Sequence, residues 1–212
     1  VNQPAKLAAF EGHYPEEAPG DLYLIGWVNK ETQEVRGIRL PGGLSFLVDW
    51  NFATPIKGLN AFPEDERPGA INAIFQFYHL MVAIGLLLIA ITLYGTMQWW
   101  RGKIFSQRWF LWLLVPAVLL PQISNQVGWF AAEMGRQPWV VYGHLRTADA
   151  LSESVTASNV LFSLIFFTII YAILLLLYLY LMDKKIRVGP YDESEIRDRL
   201  RLKDIAAQFD NK

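Results

Sequence analysis

"LFSLIFFTIIYAILLLLYLYLM", Leu161 to Met182, is apolar on every face that a helix could present. A helix at the surface of a soluble protein keeps a polar face. This stretch keeps none, and its 22 residues exceed the ~20 needed to cross a ~30 Å hydrocarbon core. Two further runs of the same kind precede it. The three blocks fall at about residues 70–100, 109–132 and 155–182. Their excess raises the hydrophobic share to 53%, against roughly 45–50% for soluble domains. None lies at the N-terminus with a cleavage site behind it, so none reads as a secretory signal. The predicted fold is an all-α integral membrane protein, with three transmembrane helices of a larger helical bundle. The rival, buried helices of a large soluble protein, does not fit runs without a polar face.

The flanks predict orientation. "RGKIFSQR" (residues 101–108) and "DKKIR" (residues 183–187) carry Arg101, Lys103, Arg108, Lys184, Lys185 and Arg187. Positive loops stay in the cytoplasm. Residues 1–69 and the segment after Glu133 are then expected outside, and the tail 183–212 inside. Residues 1–69 hold ten Asp and Glu against six Lys and Arg, a weak acidic bias. Trp99, Trp100, Trp109 and Trp112 bracket the inner loop as an aromatic belt does. The net charge of −1 points to no nucleic-acid partner. The absence of cysteine excludes disulfides and thiolate metal sites.

Residues 1–69 do not span a membrane. "LYLIGWV" and "VRGIRL", separated by "NKETQE", predict a β-hairpin. "PGGLSF" and "FPEDERPG" read as turn and loop. The region is too short for a robust core of its own and is expected to pack on something else. The tail 183–212 is expected to be solvated; "ESEIRDRLRLKDIAAQF" offers only an untidy helical stripe. Pro116 and Pro121 are expected to kink the second membrane helix.

Polar residues inside such helices mark the candidates for function. The first block holds His79, with Met81 two residues on. Histidine and methionine are a familiar haem ligand pair, but an i, i+2 pair on one helix points about 200° apart. The two cannot grip one iron from opposite sides. By chemistry alone Met81 is a packing residue, and His79 is a hydrogen-bond partner for a neighbouring helix. Gln122, Ser124, Asn125 and Gln126 crowd the second block, and buried amides need partners. Glu133 ends that block and Arg136 follows three residues later. The pair is either an interfacial ion pair or an anionic ligand beside a cation that suits haem carboxylates.

"GWFAAEMGRQPW" (Gly128–Trp139) closely resembles the signature of the larger, haem-bearing subunit of cytochrome bd-type quinol oxidases. "QPAKLAAFEGHY" (Gln3–Tyr14), "PGGLSFL" and "IKGLNAFP" resemble that family's quinol loop, and "FYHLMVAIG" (Phe77–Gly85) resembles its methionine-bearing helix. The resemblance implies that Lys6 and Glu11 serve quinol binding and oxidation. It implies Met81 as an axial ligand of a low-spin haem b and Glu133 as one of a high-spin haem b. Trp129 would lie among the haems, four residues before Glu133 on the same helix face. Arg136 would offset haem carboxylates. His79 stands where many members carry arginine. If residues 3–14 are a loop, Lys6 and Glu11 can converge on one ligand; if helical, their spacing puts them on different faces.

The family's histidine ligand and its haem d ligands are missing from this stretch. The chain is therefore expected to be a C-terminal portion of such a subunit or a split-gene product. The expected activity is oxidation of quinol and reduction of oxygen to water, through two haems b and haem d. The expected partners are the N-terminal half of the subunit, a second large subunit and small single-helix subunits, in a bacterial or archaeal cytoplasmic membrane. The alternatives are a haem-b membrane anchor exchanging electrons with the quinone pool, which needs paired histidines, and a haem-free structural subunit.

Overall fold

The computed structural model describes residues 3–152 and 154–189. Among them, three helical spans are long and apolar enough to cross a membrane. The first is α3 (Ile71–Trp100), preceded by a region built from α1 (Pro4–Glu11), β1 (Glu17–Pro19), β2 (Leu22–Asn29), β3 (Glu34–Leu40), α2 (Gly43–Asp49) and β4 (Pro55–Lys57). The second span is α4 (Arg108–Ala117) followed by α5 (Leu120–Arg136). After it come two short strands, β5 (Trp139–Val141) and β6 (Leu145–Arg146), and then α6 (Ala157–Val188).

The second span breaks where prolines were expected to bend it. Pro121 has no N–H to give the Ala117 carbonyl, and Pro116 has none for Trp112, so the helical ladder loses two rungs around Val118–Leu119. Leu119 instead donates to the Pro116 carbonyl at 3.0 Å, a tighter turn. The result is two helices, with Glu133 and Arg136 on the second.

Residues 152–212 form a separate unit from residues 1–151. The described part of that unit is chiefly α6. Thr156 caps it by accepting from the Asn159 N–H at 3.4 Å. The helix runs six residues past its expected end at Met182. Asp183 and Arg187 pair at 2.8 Å one turn apart, and Lys185 and Arg187 suit the negative end of the helix dipole. The rest of the charged tail, residues 190–212, lies outside the described residues.

The predicted hairpin is present: β2 and β3 pair antiparallel, with Ile25 opposite Ile38 and Val28 opposite Val35. One local expectation needs correction. "PGGLSF" is not a plain turn, because Gly43–Asp49 forms α2. Ser45 pins it: its hydroxyl accepts from the Gly20 N–H at 2.8 Å and donates to the Thr54 carbonyl at 2.6 Å. Residues 4–11, which the sequence left open between loop and helix, are helical. Pro4, the first residue of the helix, fixes a helical φ at the start, and Gly12, at φ 60°, closes the end in the left-handed region.

The loop region does pack on something else. Its core is shared with the first turns of α3: Ala8, Ala9, Tyr14, Val28 and Leu59 bury against Ile71, Ile74 and Phe75. Ala8 and Ala9 are small enough to let α1 lie close to α3 and α5. Phe75 is fully buried and stands edge-on to Tyr23 of the hairpin. Phe75→Ala is expected to cost about 3–5 kcal/mol. Thermal denaturation of the purified protein checks this; an unchanged midpoint would mean that hairpin and helix are not held by this contact.

Candidate functional site

The end of α1, the hairpin and the first turns of α3 meet at one buried carboxyl. Glu11 is 1% exposed. Its Oε2 accepts from the Tyr23 N–H at 3.2 Å. Its Oε1 is buried with no hydrogen-bond partner among the described residues. Burial pushes its pKa up to about 7, against a smaller opposing pull from the Tyr23 N–H. A cavity of about 470 Å³ opens beside it, lined among others by Glu11, His13, Asp21, Tyr23, Glu34 and Arg39. His13 places Nε2 3.2 Å from the Ile56 carbonyl, and burial lowers its pKa.

His79 faces this carboxyl from α3. Nδ1 lies 2.8 Å from the Phe75 carbonyl, Nε2 lies 2.8 Å from the Tyr23 carbonyl, and Nε2 is 3.7 Å from Glu11 Oε2. Carbonyl oxygens only accept, so both close contacts are hydrogen bonds only when both ring nitrogens carry hydrogen. The ring also stacks on Phe75 at 3.9 Å. Both nitrogens thus lie against backbone carbonyls, and no second membrane histidine lies nearby. The paired-histidine anchor has no ligand set among the described residues.

Lys6 and Glu11 do not converge. With α1 helical, residues five apart point about 140° from each other. Lys6 turns instead toward the end of α5. Its stem lies where a side chain at Gly135 would sit, its ammonium is 5.5 Å from the Phe10 ring centre, and burial followed by repulsion from Arg136 lowers its pKa, with Glu133 opposing. Gly135 is buried, and its missing side chain is what lets α1 approach α5.

Glu133 and Arg136 form an i, i+3 ion pair. Both are partly exposed, and Trp129, one turn earlier, is 57% exposed on the same helix. Met81 sits across the α3–α5 contact from Gly128, where any Cβ would collide with its sulfur. Ser124 donates to the Met81 carbonyl at 3.3 Å in the same contact. Gln122, Asn125 and Gln126 are exposed. Among the described residues, no three His, Cys, Asp or Glu side chains gather as for a bare metal ion. Haem iron needs less, one donor on each axial side. A thioether at Met81 and a carboxylate at Glu133 fit that need as single axial donors.

The sequence model of the cytochrome bd terminal oxidase subunit I family matches residues 1–190. The chain belongs to this family. Over 195 residues it is 36% identical to a Bacillus subtilis (strain 168) protein provisionally named cytochrome bd menaquinol oxidase subunit I. It is 29% identical over 198 residues to the cytochrome bd ubiquinol oxidase subunit 1 of the same organism. The bd oxidase structure from Geobacillus thermodenitrificans superposes with a TM-score of 0.68 at 32% identity, covering 89% of this chain and 43% of that one. The chain spans 42% of the length of the two Bacillus relatives. As a cytochrome bd subunit I chain with three apolar spans, it is a membrane protein.

One feature of this subunit I site was missed by sequence reasoning. The Glu11–Tyr23–His79 contact joins residues up to 68 positions apart (11 to 79), and no local pattern encodes it. The helical state of α1, one of the two that the sequence left open, is signalled by Pro4 and Gly12.

Proposed function

We propose that this chain supplies the quinol-oxidising loop and two axial haem ligands of a membrane quinol:oxygen oxidoreductase. The observation that carries the proposal is the buried Glu11, with one unpartnered oxygen, beside a cavity large enough for a quinol ring. Oxidation of a quinol releases two electrons and two protons. Glu11 accepts one of those protons: its carboxylate is poised near neutral pH, where a general base is most effective. The Tyr23 N–H holds Oε2, leaving Oε1 for the substrate hydroxyl. Lys6 serves as a separate charge on the α5 side of the loop.

Met81 would hold a low-spin haem b and Glu133 a high-spin haem b, with Trp129 between and Arg136 offsetting the haem carboxylates. When bound, the haems, with haem d, supply electron transfer and the reduction of oxygen to water. The opposite ligand of the Met81 haem and the ligands of haem d belong to the remaining part of subunit I. A second large subunit and small single-helix subunits complete the assembly in a bacterial or archaeal cytoplasmic membrane. The loop region faces outward and the tail inward, supported by the charge of residues 101–108 and 183–187.

The test is a pyridine haemochrome spectrum of the intact complex with quinol-driven oxygen consumption, repeated for Glu133→Ala and Glu133→Gln. The expected result is haem b in the wild type and selective depletion of the high-spin component in both variants. A haem-free complex that still assembles would leave the structural-subunit alternative standing.

A further inference from the structure

We infer that His79 is a positioning residue for quinol oxidation, fixing the Glu11 carboxyl by locking the Tyr23 backbone of the hairpin onto α3. The inference rests on the quinol reading of Glu11 given above. Its basis is a three-part clamp. Glu11 Oε2 accepts from the Tyr23 N–H at 3.2 Å. The carbonyl of the same Tyr23 lies 2.8 Å from His79 Nε2. Nδ1 of His79, 2.8 Å from the Phe75 carbonyl, fixes the ring on its own helix.

Tyr23 is thus held at its N–H by the carboxyl and at its carbonyl by the imidazole. The adjoining register is irregular, shifting between Tyr23 and Ile25. The strand's own ladder is therefore weakest where the carboxyl needs its donor. Gln76 secures the next turn by donating to the Gly26 carbonyl at 2.7 Å, and Asn72 accepts from the Val28 N–H at 3.0 Å. Asn72, Gln76 and His79 lie one turn apart along one side of α3 and grip β2 along its length. Of the three, His79 alone also touches the carboxyl, at 3.7 Å.

His79 directs its nitrogens at backbone carbonyls and the quinol loop, while Met81, about 200° around the helix, faces Gly128. One helix therefore presents a loop-fixing residue and a haem-ligand candidate on different faces, two residues apart. The clamp ties the carboxyl, through Tyr23, to the helix that carries Met81.

The experiment uses the complete oxidase with His79→Phe, His79→Gln, Glu11→Gln and the His79→Phe/Glu11→Gln double variant. Phenylalanine keeps the stacking on Phe75 and removes both nitrogens; glutamine returns a donor at about the depth of Nε2. Each is assayed with quinol and with an artificial electron donor that bypasses the loop, and its haem spectrum is recorded. His79→Phe is expected to lower quinol-driven kcat by on the order of 10²-fold, as a misplacement of about 1 Å does. Artificial-donor turnover and the haem spectrum stay at wild type, His79→Gln recovers part of the loss, and the double variant is no slower than Glu11→Gln alone.

Losses that multiply in the double variant, or equal losses with both donors, would overturn the inference. If His79→Phe fails to assemble, infrared difference spectra of His79→Gln decide. The carboxyl band, identified by its disappearance in Glu11→Gln, should shift; an unmoved band overturns the inference. Full quinol turnover in Glu11→Gln instead removes the quinol reading itself, whereas a slow Glu11→Gln beside a wild-type His79→Phe removes only the role of His79.

Discussion

Glu11→Gln in the complete oxidase is expected to slow quinol-driven oxygen consumption by about 10²- to 10⁴-fold, the usual contribution of a positioned general base. Glutamine keeps the shape and still offers an oxygen to the Tyr23 N–H, so the clamp and the fold should survive. What it lacks is a site for the quinol proton. The wild-type pH profile carries the same signature. Burial holds the Glu11 pKa at about 7, and only the ionised carboxylate can accept a proton. Quinol-driven kcat/KM should therefore rise with pH through about 7 and level off above it. Glu11→Gln should lose that limb. Turnover with a bypassing donor should be indifferent to both the variant and this pH range. Equal losses with both donors would indicate damage to the fold.

Met81→Leu is expected to convert the low-spin haem b signal to a high-spin one and to abolish most quinol-driven turnover. Leucine is close in volume, and such swaps usually cost less than about 1.5 kcal/mol. It should pack against Gly128 much as methionine does. The thioether is the only difference, and methionine ligation raises haem potential relative to a pair of histidines. Optical spectra and a redox titration of the variant check this. An unchanged low-spin band and potential would return Met81 to packing, the role its contact with Gly128 already gives it.

The membrane spans were legible because a bilayer tolerates little but uninterrupted apolar helix, and the run from Leu161 to Met182 has no other use. The break in the second span was legible because Pro116 and Pro121 each remove a backbone donor. Tyr23 meeting His79 was not. Its two bonds go to backbone carbonyls, which every residue has, so no side-chain pattern advertises them. The same holds for Met81 and Gly128: a methionine and a glycine in apolar helices look like packing until two chain segments are laid together. The short helix α2 was hidden for a different reason. In α2 the paired Gly42 and Gly43 resemble a turn, and Ser45, whose two bonds hold the helix in place, looks unremarkable in sequence. Lys6 and Glu11 share a motif and belong to different sides of one helix.

The shared core also sets an order in time. A ribosome makes residues 3–69 before it makes Ile71, Ile74 and Phe75, and those three complete the packing of Ala8, Ala9, Val28 and Leu59. Until α3 emerges the loop has hairpin and turns but nothing to close against. The loop therefore acquires its buried carboxyl only once the helix behind it has been made. Synthesis of α3 and closure of the packing around Glu11 are, for this loop, a single event.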